Sequence, residues 1–431
     1  MQMAMETAKG MHAAQGMHPV QGVHLMAKPS GPICNLDCSY CFYLEKESFF
    51  PARHRFLMSD AVLRAYVEQN IRNEPGPEVL FTWQGGEPML RGLEFYRRAV
   101  RYQRELGNGK IIRNALQTNG VLLDEEWCAF LREAGFTVGI SLDGPREIHD
   151  SARVDKRGQS TFDAVMQGIT LLERFGIEFN VLVTVSNEVS RHPLEVYRFL
   201  RDNGLTHVQF NPVVERTAGA QAKASGLTFA QPGESETSPV SAHSVAPAAY
   251  GEFLIAIFDE WVRKDVGSMF VMNFEWALAS FMRLPSTICL FAEECGKALI
   301  LEHSGDIYSC DHFMYPQYRL GNIADADLSQ LASSPQQRAF GKSKSAELPD
   351  YCRRCEVRFA CHGECPKNRF MKTPQGEPGL NYLCPSYKRY FTHIGKYMKG
   401  MAQLINHGQP ASLIMQAIKG PLAIRLNPGP R

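Results

Sequence analysis

Three cysteines stand close together near the start of the chain: Cys34, Cys38 and Cys41, in the stretch CNLDCSYC. Three thiols are too many for one disulfide and one too few for a closed tetrahedral metal site. A thiolate triad in so short a loop can bind three irons of a cubane iron–sulfur cluster and leave the fourth iron open to another ligand. The alternatives are a zinc site completed by a distant residue such as His54, and thiols without a ligand. The spacing favours the cluster.

Eight further cysteines lie between residues 289 and 384, and only Cys128 stands alone. Cys128 falls on the apolar side of a helical pattern, so we expect it in the core. Eight is the number of ligands that two four-iron clusters need, although the CxxC-x5-CxxxC spacing within this group is also typical of zinc. The spacing does not say which four share a cluster. The eight are Cys289, Cys295, Cys310, Cys352, Cys355, Cys361, Cys365 and Cys384.

Composition limits the class of protein. The chain has 431 residues, and 46 basic against 45 acidic residues give a net charge of +1. This balance argues against nucleic acid or an anionic membrane as the main partner, and no apolar run is long enough to span a membrane. Residues 1–27 lack the pattern of a secretory signal and are predicted to be a disordered extension. Grouped cysteines without an export signal indicate a cytoplasmic protein.

Strand-like and helix-like segments alternate between residues 28 and 214. Repeated β–α units predict an α/β fold with a parallel sheet that closes fully or partly into a barrel. The polar motifs GGEP, QTNG and SLDGP each follow a predicted strand, as does the segment NPVV. Ligands of parallel α/β folds bind at the carboxyl edge of the sheet, so these motifs are expected on one face with the cysteine loop. Gln84 and Gln117 are further strand-end candidates.

We predict four parts of the chain. Residues 1–27 are the extension, and 28–265 are the barrel, with a flexible Ala/Ser/Gly/Pro-rich insertion at 215–247. Residues 266–390 form a cysteine-rich domain that its ligands hold together. Residues 391–431 form a C-terminal helix and tail.

The triad, with an aromatic residue before its last cysteine, resembles the signature of the radical S-adenosylmethionine (SAM) superfamily. The resemblance implies a partial (β/α)6 radical-SAM barrel, a [4Fe–4S] cluster on Cys34, Cys38 and Cys41, and SAM on the open iron. GGEP resembles the second motif of that family, whose backbone and Glu87 receive the amino group of SAM. Ser141, in SLDG, supplies a hydroxyl that suits the ribose or carboxylate of SAM, and Arg153, in SARVD, suits the SAM carboxylate. The cofactor-binding residues expected are Tyr40, Gly85, Gly86, Glu87, Ser141, Arg153 and Val214.

The C-terminal cysteines resemble the SPASM extension of peptide-modifying radical enzymes, and among these the anaerobic sulfatase-maturating enzymes. The resemblance implies three [4Fe–4S] clusters in all. One auxiliary cluster would be held by Cys289, Cys295, Cys310 and Cys365, and the other by Cys352, Cys355, Cys361 and Cys384. Asp311 matches the proposed catalytic base of that family, and Tyr43 matches a tyrosine near its substrate.

The implied activity is the oxidation of a Cys or Ser in an unfolded sulfatase segment to Cα-formylglycine, with flavodoxin or ferredoxin as electron donor. Desolvation is expected to raise the pKa of Asp311 and make it a better base. The nearest alternative is a SPASM enzyme that modifies another ribosomal peptide. A more distant alternative is a zinc-ribbon binding protein.

Overall fold

The computed structural model describes residues 22–50, 55–224, 226–232 and 239–419. Most of the predicted extension and His54 lie outside these residues. The strands are β1 (His24–Lys28), β2 (Glu78–Trp83), β3 (Ile111–Thr118), β4 (Phe136–Ser141), β5 (Phe179–Val185), β6 (His207–Pro212), β7 (Phe270–Val271), β8 (Ala298–Glu302), β9 (Asp306–Tyr308), β10 (Arg319–Asn322), β11 (Met371–Lys372) and β12 (Pro378–Leu380).

The helices of the described residues fall between and after these strands. They are α1 (Asp60–Asn73), α2 (Leu93–Leu106), α3 (Glu125–Glu133), α4 (Arg146–Asp150), α5 (Phe162–Arg174), α6 (Pro193–Asp202), α7 (Ala220–Ala224), α8 (Ala249–Lys264), α9 (Met272–Phe281), α10 (Leu328–Ala332), α11 (Pro335–Ala346), α12 (Asp350–Arg353), α13 (Arg358–Cys361), α14 (Cys384–Asn406) and α15 (Ile414–Lys419).

Ten strands form one sheet in the order β10-β9-β8-β1-β2-β3-β4-β5-β6-β7. Strands β1 to β6 pair in parallel and in chain order, as the predicted partial (β/α)6 barrel requires. Parallel strands in chain order end at a common carboxyl edge. The segments that follow β1, β2, β3 and β4 therefore meet at this edge, and they include the cysteine loop, GGEP, QTNG and SLDGP.

The first strand corrects the prediction for residues 1–27. Residues 24–27 belong to β1, which pairs with β2 on one side and β8 on the other. Its register with β8 runs from His24 opposite Ala298 to Lys28 opposite Glu302. The sheet therefore passes without a break from the predicted barrel into the cysteine-rich part, while the four-part division of the chain stays a prediction.

The core lies between the sheet and its helices. Trp83 of β2 is fully buried, and Tyr66, Phe95 and Tyr96 contact it edge-on. Cys128 is also fully buried on α3, which confirms its predicted place in the core. No helix of the described residues is long and apolar enough to cross a membrane.

The described parts of the 215–247 insertion pack into the molecule. Leu227, Phe229 and Val245 are buried. The Glu45 carboxylate, in the 3₁₀ helix Leu44–Phe49, accepts the backbone N–H groups of Thr228 and Phe229 at 2.8 and 3.0 Å. These residues therefore pack against the rest of the chain, while the predicted flexibility of the insertion stays a prediction.

Candidate active site

The cysteine loop follows β1 and lies against the segment that contains Arg153. The N–H of Asp37 donates to the carbonyl of Val154 at 2.8 Å. Burial, together with the neighbouring thiols Cys38 and Cys41, raises the pKa of the Cys34 thiol to about 12. The structure thus places the three predicted ligands within electrostatic range of one another, and all three are half-buried and free of disulfides.

The GGEP motif packs directly on the chain that enters this loop. The N–H of Gly86 donates to Gly31 at 2.9 Å, and the N–H of Glu87 donates to the carbonyl of Ile33 at 2.8 Å. A Cβ on Gly86 would lie 2.1 Å from the Ile33 carbonyl oxygen, so only glycine fits there. Gly85 has a φ of 146°, a conformation that other residues rarely adopt. Both glycines therefore bring the end of β2 against the cysteine loop.

Glu87 is fully buried, and its carboxylate hydrogen-bonds within the chain. It accepts the N–H of Met89 at 3.0 Å, the hydroxyl of Thr118 at 2.9 Å and the N–H of Asn119 at 2.8 Å. Burial raises the pKa of Glu87 to about 7, although these hydrogen bonds favour the carboxylate. Glu87 thereby joins the end of β2 to the QTNG turn after β3. Its contact with the SAM amino group stays a prediction.

Arg153 and Tyr40 meet at a carboxylate that the sequence analysis did not select. Asp143, in the SLDGP turn, accepts the Tyr40 hydroxyl at 2.5 Å and the Arg153 Nε at 2.8 Å. Arg153 also donates to the Thr184 hydroxyl at 2.9 Å. The pKa of the Cys38 thiol is raised by burial to about 11, and the Arg153 guanidinium opposes this rise. Arg153 thus lies beside a predicted cluster ligand, with its orientation set by Asp143 and Thr184.

The remaining predicted cofactor residues lie on this side of the sheet or near it. Ser141, the last residue of β4, accepts the side-chain amide of Gln117 at 3.2 Å. Val214 is buried beside Glu215, in the wall of a small cavity that His312 and Lys367 also line. Its neighbour Val213 packs with Tyr40 and Cys38. These roles also stay predictions.

Asp311 opens a 3₁₀ turn, Asp311–Phe313, immediately after Cys310. Its Oδ1 lies 2.6 Å from the Nζ of Lys28, whose side chain is only 2% exposed against 24% for Asp311. Burial opposes the charged form of Asp311, but Lys28, with smaller effects from His312 and Lys367, outweighs it and holds the pKa of this carboxyl below its ordinary value. The expectation of a raised pKa is therefore wrong in its net direction: burial does act to raise the pKa of Asp311, but a buried ammonium at the end of β1 pairs with the carboxylate and outweighs it.

Tyr43 borders the same ion pair. The Lys28 Nζ lies 4.1 Å from the centre of the Tyr43 ring, a cation–π distance. The Tyr43 hydroxyl donates to the fully buried Glu302, and Nδ1 of His303 lies 2.8 Å from the other oxygen of that carboxylate. Lys28 also donates to Gln84 at 3.3 Å. One connected group thus joins the ends of β1, β2 and β8 to Asp311.

The eight C-terminal cysteines fall into two neighbourhoods. Burial is the largest cause of the raised pKa of the Cys310 thiol, and the nearby thiols Cys289 and Cys295 raise it further. The pKa of Cys365 is raised by burial and also by Cys310 and Cys289. Cys361 is affected in the same way by Cys384 and Cys352, and Cys384 by Cys352 and Cys355. These neighbourhoods agree with the two groups of four that the SPASM resemblance implies, and the assignment of each cysteine to a cluster stays a prediction.

The donor sets fit iron–sulfur clusters. Buried thiols with a raised pKa become thiolates when a bound cation stabilises them. Within the described ranges, no three His, Cys, Asp or Glu side chains converge as ligands of a single ion. A cubane binds each cysteine through a different iron and does not require such convergence.

Comparison with known proteins decides the family. The profile of the Radical SAM superfamily matches residues 29–200, and that of SPASM, an iron-sulfur cluster-binding domain, matches residues 289–356. A serine-type anaerobic sulfatase-maturating enzyme from Bacteroides thetaiotaomicron is 44% identical over 92% of this chain and 95% of its own length. The chain belongs to the anaerobic sulfatase-maturating enzymes. Membership of this family means a SAM-binding [4Fe–4S] site and a C-terminal domain that binds iron–sulfur clusters.

Further relatives agree with this placement. A cysteine-type anaerobic sulfatase-maturating enzyme from Clostridium perfringens is 32% identical over 86% of this chain and 95% of its own length. The solved structure "Native anSMEcpe with bound AdoMet and Cp18Cys peptide" is 31% identical, with a TM-score of 0.77 over 89% of this chain and 99% of that chain. The predicted family and the predicted α/β fold with a SPASM-type domain are therefore confirmed.

Sequence reasoning missed Lys28, Asp143, Asn119 and Glu302. Asp143 and Asn119 lie inside motifs that had been selected, SLDGP and QTNG, two positions after Ser141 and Gln117, the residues chosen from them. Asn119 donates to the Asn35 side chain at 2.8 Å and lies 3.7 Å from the Cys34 sulfur. Lys28 had a signal as well, since it ends an apolar segment just before the cysteine loop. Glu302 had none, because only the pairing of β1 with β8 brings it to the site.

Proposed function

We propose that this chain oxidises a Cys or Ser side chain of an unfolded sulfatase segment to Cα-formylglycine, by radical SAM chemistry and in the cytoplasm. The observation that carries the proposal is the pairing of Asp311 with buried Lys28. This ion pair brings the Asp311 carboxylate, next to Cys310, to the end of the strand that leads into the cysteine triad. The 44% identity to a serine-type family member supports the same activity.

The residues of the first site divide into binding and positioning roles. When bound, the cluster and SAM would supply the radical chemistry that removes one hydrogen atom from the substrate Cβ. Cys34, Cys38 and Cys41 would hold the cluster. Arg153, oriented by Asp143, would bind the SAM carboxylate, and the GGEP backbone would bind the SAM amino group. Glu87 holds that backbone in place through its hydrogen bond to Met89.

Asp311 accepts the thiol or hydroxyl proton of the substrate. A base must be ionised before it can act, and Lys28 keeps the Asp311 carboxylate charged inside the protein. Carbon-centred radical formation acidifies the neighbouring thiol or hydroxyl, so a carboxylate with a low pKa can accept its proton. Tyr43 packs against Lys28 and fixes the position of this ion pair.

The reaction removes two electrons from the substrate: one leaves with the Cβ hydrogen atom, and the other would pass to an auxiliary cluster. Ser gives the aldehyde directly, whereas Cys gives a thioaldehyde that water hydrolyses with release of hydrogen sulfide. We propose three [4Fe–4S] clusters in all, the two auxiliary ones on the two groups of four cysteines described above. A flavodoxin or ferredoxin would exchange electrons with the enzyme. Protein purified without air should contain about twelve irons, with as many labile sulfides and no stoichiometric zinc.

The decisive experiment is anaerobic incubation with SAM, dithionite and peptides that carry a sulfatase motif. Two peptides with Cys or Ser at the target position are compared with a control peptide that has Ala there. We expect the mass of the aldehyde from at least one of the first two, and none from the control. Cleavage of SAM without aldehyde from either peptide would favour the alternative, a SPASM enzyme for another ribosomal peptide.

A further inference from the structure

A groove with a cationic rim lies beside the second group of auxiliary cysteines, on the outer side of α14. The groove has a volume of about 510 Å³ and an apolar floor that includes Phe281, Val357 and Phe359. Lys396 and Lys399 of α14 also line it. We call this feature the α14 groove.

Cations surround the α14 groove. The guanidinium of exposed Arg283 lies over the Phe359 ring at 5.0 Å from its centre, and Lys396 and Lys399 are both exposed. Next to the groove, the loop that carries Cys352, Cys355 and Cys361 exposes three arginines. They are Arg353, Arg354 and Arg358. The carboxylate of Glu356 also lines the groove, so the six cations named here outnumber it, whereas the whole chain has a net charge of only +1.

The second cysteine group reaches the same surface. Cys352, Cys355, Cys361 and Cys384 are all partly accessible. The groove begins at Glu356 and Val357, the two residues after Cys355. A cluster on these cysteines would lie near the surface, where an electron can pass to a docked protein.

We propose that the α14 groove and its cationic rim are the docking surface for an acidic one-electron carrier protein. One electron passes between the cluster on Cys352, Cys355, Cys361 and Cys384 and the cofactor of the carrier, and no covalent bond forms. The inference rests on the proposed function, which requires an electron partner, and assigns that partner a place.

Charge complementarity selects this occupant. An apolar centre with a charged rim is the usual anatomy of a protein interface, and opposite charge on the partner accelerates association. A standard interface covers about 800 Å² of each partner, enough to contact the lysines of α14 and the cluster loop together. The chain's own residues 420–431 are a poorer occupant, because they contain Arg425 and Arg431 and no acidic residue.

The test reverses charge at Lys396 and Lys399. These residues come twelve and fifteen positions after Cys384, so they lie about 18 Å or more from it along the helix. This exceeds the Debye length of about 8 Å, so the change leaves the cluster itself undisturbed. The matched control is R101E/R104E, which reverses two exposed arginines at the same spacing on α2.

The probe is an acidic flavodoxin, titrated calorimetrically into the enzyme with all its clusters. We expect K396E/K399E to weaken binding by about tenfold at an ionic strength of about 0.15 M, with K396R/K399R and R101E/R104E like wild type. High salt should reduce the difference. Equal binding by K396E/K399E and wild type would overturn the proposal. Tighter binding after removal of residues 420–431 would also overturn it, because the groove would then be assigned to the C-terminal segment. A wild-type dimer that dissociates in K396E/K399E would overturn it as well, because the groove would then be the dimer interface.

Formylglycine formation driven by dithionite is measured on the same variants. This small reductant needs no docking surface, so all variants should match wild type. If wild type forms no formylglycine with dithionite, the proposed function fails, and the binding data still decide the docking surface.

Discussion

Replacing Lys28 by methionine tests the electrostatic basis of the site. The Lys28 ammonium is almost fully buried and lies 2.6 Å from Asp311 Oδ1. Removing one partner of a buried ion pair costs about 3–5 kcal/mol, because the other charge is left uncompensated. Asp311 is about a quarter exposed, so the lower end of this range applies. Protonation of Asp311 relieves most of that cost, so Lys28→Met should convert a carboxylate base into a neutral acid over part of the working pH range.

The sign of the pH effect follows from the pKa shift. Lys28 holds the pKa of Asp311 below its ordinary value, so wild-type Asp311 is ionised at neutral pH. Without Lys28, burial is opposed only by the weaker effects of His312 and Lys367, and the pKa of Asp311 rises. The acidic limb of the activity profile should therefore move to higher pH, with formylglycine formation at neutral pH reduced by about tenfold or more.

The assay follows formylglycine by mass spectrometry and 5′-deoxyadenosine by chromatography between pH 6 and 9. SAM cleavage should change much less than formylglycine formation in Lys28→Met, because Lys28 pairs directly with Asp311 and is only the smallest of the influences that lower the pKa of the Cys41 thiol. Lys28→Arg keeps the charge and should retain the wild-type profile. Superimposable profiles for Lys28→Met and wild type, in protein of equal iron content, would refute this reasoning.

Three further outcomes follow from the same structure. Asp311→Asn should keep SAM cleavage but lose aldehyde formation by about 10²-fold or more, and full product formation by this variant would exclude Asp311 as the base. Gly86→Ala should lower the iron content and abolish SAM cleavage, because the new Cβ would lie 2.1 Å from the Ile33 carbonyl oxygen; normal iron content would contradict this. Glu260→Gln should destabilise the fold by about 1–2 kcal/mol at pH 7, as it breaks the bidentate pair with half-exposed Arg198. Hydrogen bonds from Arg198 lower the pKa of Glu260 from 4.5 to about 2, so this contribution is present above pH 4.5 and is lost towards pH 2. Unfolding midpoints of the variant and wild type should therefore approach each other only below pH 4.5.

The sequence predicted the α/β part of the fold well because its signals are local. The alternation of strand-like and helix-like segments expected between residues 28 and 214 is present as strands β2 to β6 with helices α2 to α6 between them. Hydrophobic periodicity and end signals such as Gly135 act within one helix and are readable without the fold. The expectation that ligands bind at the carboxyl ends of parallel strands likewise predicted GGEP, QTNG and SLDGP at one edge of the sheet.

What the sequence did not predict depends on contacts between distant segments. Residues 24–27 look like the end of a polar tail, and they become a strand only because β2 and β8 pair on both sides. The pKa of Asp311 was predicted in the wrong direction for the same reason, since Lys28 lies 283 positions earlier in the chain. Ser141 was chosen from the SLDGP motif although Asp143 is the residue that contacts both Tyr40 and Arg153.

The pairing of β1 with β8 also explains why the two halves of the site stay aligned. Five residues of β1 face five residues of β8 in parallel register, and β8 pairs with β9, the strand before Cys310. The strand before the cysteine triad and the strand before Cys310 therefore belong to one sheet. Lys28 and Glu302 are opposite one another at the end of this register, and they contact Asp311 and Tyr43 respectively. A one-residue slip would turn these side chains to opposite faces of the sheet and separate the ion pair. The register of two strands that are far apart in the sequence therefore sets the position of the proposed base relative to the cysteine triad.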